Sequence, residues 1–142
     1  MVPRTVRAGL RIRGGRGNPV VRHALIRFAR WLRSGHAFPV RVPVYLSAKR
    51  RLITVHSGVV TASFFGPDDR REEPYIRIAT GDYPELRASR GRDNALASFV
   101  TSLAHEVVHY EQWLDSKRFS ERDAVRSALS ILRRYERTVD HP

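Results

Sequence analysis

The chain contains no cysteine. That excludes disulfides and thiolate metal sites, so any metal must be held by His, Asp, Glu or backbone oxygen. Lysine is almost missing as well: Lys49 and Lys117 stand against 24 Arg. Acid is scarce, with 14 Asp and Glu against 26 Lys and Arg, and the net charge is +12. This balance favours contact with polyanions, including nucleic acid, through phosphate neutralisation. The Arg residues are spread along the chain, however, as a GC-rich coding bias would leave them. No recognisable DNA-binding motif appears, and the expectation is that there is no aromatic–basic platform. No apolar run approaches the roughly 18 residues of a membrane span. The first residues, "MVPRTVRAGLRIRGGRGNPV", carry no apolar signal core. The expectation is a cytoplasmic protein without a membrane partner.

What is present suffices for one folded domain. The 142 residues are 42% apolar, enough for a single core. Residues 1–17 are basic and punctuated by Gly, and read as a flexible arm or an extended segment lying on the domain of residues 18–142. "NPVVRHALIRFARWLRSG" reads as a helix, with Asn18 as N-cap, Pro19 in the first turn and Gly35 past the end. The middle third is β-rich: "FPVRVPVYLS", "RLITV", "GVVTASFFG" and "PYIRIATG", separated by turn signals. Pro74 at the head of the last strand suits an edge position. From Asp93 to Asp115 the period is helical again, with Leu96, Phe99, Val100, Leu103, Val107 and Leu114 as the buried stripe. Ser120-x-x-Asp123 resembles a capping box opening a last helix, to about Val139. The fold class is α+β: an N-terminal helix, a small, mostly antiparallel sheet of three to four strands, then two helices.

The chemistry lies in "HEVVHYEQ", residues 105–112. Positions i and i+4 share a helix face, so His105 and His109 can chelate one ion without distorting the backbone. Glu106 follows the first ligand and is placed as a general base toward a metal-activated water. The pattern arises by chance in roughly one chain in a hundred of this composition, so its setting must decide. Thr101, Ser102 and Ser98 continue the His face as a polar stripe beside the buried one, as in a helix that lines a cleft.

A catalytic zinc site takes three protein ligands plus water. Gln112 and Asp115 stand where a metzincin would place Gly and His, so Asp115 is a weak third ligand. On the last helix Glu121 shares the face of Ala124 and Ala128, whereas Asp123 aligns with Ser127, Ser130 and Arg134. Periodicity therefore favours Glu121. His141, at the tail, is a remote alternative.

These features together resemble the gluzincin metallopeptidases, specifically the single-domain minigluzincins and the ImmA/IrrE-like proteins. "HEVVH", "SERDAVRSA" and the strand "PYIRIATG" carry the resemblance over about residues 18–139. It departs at Val125, where the family's Glu helix has Asp. The resemblance implies a minimal zincin fold and one catalytic Zn2+ held by His105, His109 and Glu121. It also implies an extended peptide or protein substrate pairing with an edge strand made of Tyr75, Ile76, Arg77, Ile78, Ala79 and Thr80. A terminal segment such as residues 1–17 would impose latency, as in a zymogen. Tyr83, Tyr110 and Tyr135 are the candidate transition-state donors. The competing readings are a nucleic-acid-associated regulator, or a peptidase acting on DNA-bound proteins, and an inert scaffold.

Overall fold

The computed structural model describes residues 8–54 and 58–138. The fold is α+β, with four helices, a four-stranded mixed sheet and a two-stranded hairpin. The elements run β1 Leu10–Arg13, α1 Pro19–Gly35, β2 Val42–Ser47, β3 Leu52–Thr54, β4 Gly58–Val60, β5 Ala62–Phe65, β6 Tyr75–Ala79, α2 Tyr83–Arg90, α3 Arg92–Leu114 and α4 Glu121–Glu136.

Local sequence explains the helix starts. The Asn18 side chain accepts from the amides of Val20 and Val21 ahead of α1, a cap worth about 1 kcal/mol. Ser120 caps α4 by accepting from the Asp123 amide at 3.2 Å. The reciprocal half of the expected box is replaced, because the Ser120 amide donates to Gln112 Oε1. Helix α2 escaped the sequence reading. It is eight residues long and buries only Tyr83, so it leaves almost no apolar stripe.

The sheet is not mostly antiparallel. Its order is β1-β2-β6-β5, with β1 parallel to β2, β2 parallel to β6, and only β5 antiparallel to β6. Two features hid this. Residues 10–13, read as part of a flexible arm or an extended segment lying on the domain, form strand β1, and α1 is the crossover that returns the chain parallel to it. The run "GVVTASFFG" also divides, so that β4 pairs with β3 while β5 joins the main sheet. Leu10 of β1 is fully buried, which makes β1 part of the core of the domain expected to begin at residue 18. Residues 1–7 and His141 lie outside the described residues.

The strand assigned to substrate is not an edge. Strand β6 is paired on both sides, Ile76 with Val44 and Phe64, Ile78 with Leu46 and Ala62. Pro74 misled because it precedes the paired residues, so its missing N–H removes no ladder bond. Thr80, just past β6, is fully buried; its hydroxyl donates to the Ser47 carbonyl and accepts from the Asn18 amide. The end strands are β1 and β5, and β5 is the one that borders a cleft along α3.

The inward residues of the strands, Leu10, Val42, Val44, Leu46, Ile76 and Ile78, form one core with the apolar stripes of α1 and α3. Tyr110 of α3 locks the β2 approach, its hydroxyl bonded to both the carbonyl and the amide of Val40. Ala124 and Ala128 let α4 close on α3, and Tyr135 at its far end packs against Phe28 and Trp31. No helix among the described residues is long and apolar enough to cross a membrane.

Candidate metal centre

A cleft of about 750 Å3 is lined by residues 59–64, the polar side of α3, Phe119 and Glu121. Thr101, Ser102, His105, Glu106 and His109 face into it, so the polar stripe of α3 is a cleft wall.

His105, His109 and Glu121 converge there. One coordinating atom from each lies within 4.8 Å of the others, close enough to hold a metal ion. Glu121 Oε1 is 2.7 Å from His109 Nε2, and Oε2 is 2.9 Å from His105 Nε2. Sequence periodicity placed Glu121 on the inner face of α4. In the structure its side chain is 76% exposed and reaches the histidines from the first turn of the helix.

Gln112 makes the donor set more specific. It is buried, and it joins the two helices. Its Oε1 accepts from the Ser120 amide, and its Nε2 donates to the Ser120 carbonyl, both at 3.3 Å. These two bonds fix which amide atom is oxygen. That oxygen lies 2.9 Å from His109 Nδ1, so Nδ1 must carry a proton and donate. In a neutral ring Nε2 is then a bare lone pair, yet it faces a carboxylate oxygen at 2.7 Å. Two acceptors at that distance repel unless a proton or a cation lies between them. Two imidazole nitrogens and one carboxylate oxygen are donors of the kind a divalent metal ion such as zinc takes. The residues fit the ion.

Glu106 points into the cleft beside this group. It is 7% exposed and has no hydrogen bond or ion pair among the described residues. Burial, and then the nearby Glu121 charge, raises its pKa to about 8. A desolvated carboxylate without a partner is a strong proton acceptor.

Sequence reasoning missed the roles of Gln112, read as one residue of the polar stripe and as a departure from a metzincin pattern, and of Phe119, set aside with the helix break "DSKRFS". The Phe119 ring stacks on His109, centroids 5.1 Å apart and planes 25° apart, and also touches Phe64. The three candidate tyrosines are elsewhere. Tyr83 packs on Phe99, Tyr110 is bonded to Val40, and Tyr135 lies in the α1–α4 core. They were proposed for their phenol groups, but each spends its ring on packing. Asp115 caps the end of α3 and does not join the histidines, and Asp123 stays outside the cleft.

Compared with protein-family models, curated proteins and solved structures, the chain matches none.

Proposed function

We propose that the chain is a zinc-dependent metallopeptidase of gluzincin type, with His105, His109 and Glu121 as ligands and Glu106 as general base. The observation that carries this reading is the convergence of those three donors on a cleft that also holds a buried, unpartnered carboxylate. A bound zinc ion would supply Lewis acidity, acidifying water and polarising a carbonyl.

The chain's own residues do the rest. Gln112 orients His109 by accepting its Nδ1 proton in a hydrogen bond, as ligand histidines commonly require. Glu106 takes the proton of the attacking water as its oxygen bonds to the peptide carbonyl carbon. The same carboxyl then passes that proton to the amide nitrogen, and the C–N bond breaks. Strand β5 supports an extended substrate by β-augmentation: it is the end strand of the sheet on the cleft side, and Ala62, Ser63 and Phe64 border the cleft. That role passes to β5 from the Tyr75–Thr80 segment, whose two edges are occupied.

Hydrolysis of a quenched-fluorescent peptide library by the zinc-loaded protein tests the reading. Cleavage that Glu106→Gln abolishes while zinc content stays unchanged is the expected result. Equal activity of Glu106→Gln and the parent would sink the mechanism.

A further inference from the structure

The helices cover one face of the sheet, and the opposite face has a distinct composition. Alternation in β1, β2, β5 and β6 turns Leu10, Val44, Ile76 and Ile78 inward. The same alternation turns Arg11, Arg13, Tyr45, Tyr75, Arg77 and Phe65 outward. Register sets them side by side: Arg13 beside Tyr45, Tyr45 beside Arg77, and Phe65 beside Tyr75. The three rings touch, Tyr45–Tyr75 at 6.1 Å and Phe65–Tyr75 at 5.1 Å between centroids. Tyr45 and Phe65 are 43% and 46% exposed. Such contiguous exposed rings are unusual on a surface that binds nothing.

Charge selects the occupant. No outward position of the four strands is acidic. Glu73, just before β6, is held by Arg41 at 2.9 Å. Arg77 donates to the Ile53 carbonyl, while its Nε is buried without a hydrogen-bond partner among the described residues. The positive surface continues round the β1 edge, where Arg33 is bonded to the Leu10 carbonyl. Rings interleaved with Arg on one sheet face match the faces on which unpaired bases stack while cations meet the phosphates. A duplex hides its base faces and would leave the rings idle.

We propose that this outer face binds single-stranded nucleic acid, with bases on Tyr45, Phe65 and Tyr75 and phosphates against Arg11, Arg13 and Arg77. The site is independent of the metal centre. The sequence conceals it because its members come from four strands and no two are adjacent in the chain.

Fluorescence anisotropy with a labelled oligothymidine of about 20 nucleotides, longer than such sites require, tests the proposal. Binding at low salt that weakens steeply as salt rises is expected. Tyr45→Ala and Phe65→Ala should each weaken it about tenfold, Tyr45→Phe should preserve it, and Arg11→Ala with Arg13→Ala should flatten the salt dependence. Zinc content and thermal melting of the same variants confirm that the fold is intact. No binding by the parent at low salt overturns the proposal. So does binding that heparin or duplex DNA shares equally and that ring removal does not change, since charge alone would then explain it.

Discussion

The two faces of the sheet make opposite use of the same scarcity of acid. On the helix side, two of the few carboxylates, Glu106 and Glu121, are drawn into one cleft with two histidines. On the outer side no outward position of the four strands is acidic, and arginines alternate with rings. The cleft creates a demand for a cation: an imidazole lone pair and a carboxylate face each other, and a second carboxylate is buried without a partner. The outer face creates a demand for an anion with flat apolar parts. In so basic a chain, sites differ less by where the arginines are than by where the carboxylates have been placed.

Substitutions that should affect one face and not the other sharpen this contrast. The largest effect is expected at Glu106: Glu106→Gln should lower peptide hydrolysis by about 10^2- to 10^4-fold, measured as initial rate, with oligothymidine affinity unchanged. Next comes the sheet that both faces share. Leu10 is fully buried, so Leu10→Ala should cost about 2–5 kcal/mol, read from urea unfolding. A smaller loss would mean that β1 is a dispensable arm. Gln112→Leu should weaken zinc binding by about 10- to 100-fold, measured by chelator competition, because His109 loses the acceptor that fixes its tautomer. Gln112→Glu, which keeps that acceptor, should recover most of the loss. The smallest effect, none, is expected from Tyr45→Ala on zinc content and hydrolysis. A fall in either would show that the two faces are not separate.

The two faces also differ in how far the sequence discloses them. His105, Glu106 and His109 lie on a single helix, where the i, i+4 spacing is itself the geometry, so the letters are enough to group them. Glu121 was accessible at one remove, since helical period separates it from Asp123, although the reason was different: it reaches over from the first turn and does not point into the core. The link through Gln112 was out of reach, because it depends on how α4 returns against the end of α3. Strand order was less legible still. A strand's own residues report which face is buried, but not which neighbour it pairs with. Thus β6 could be recognised as a strand and still be misplaced as an edge. The basic β1 was masked by Arg at alternate positions, which is what an outward-facing edge strand displays. The Tyr–Phe–Arg face vanishes from the linear sequence for the same reason.

Metal analysis of the protein purified without chelator decides whether His105, His109 and Glu121 hold zinc. One zinc per chain is expected, lost when His109 or Glu121 is replaced by Ala and retained in Glu106→Gln. A parent protein without stoichiometric metal, which also fails to take up zinc on titration, would contradict that assignment.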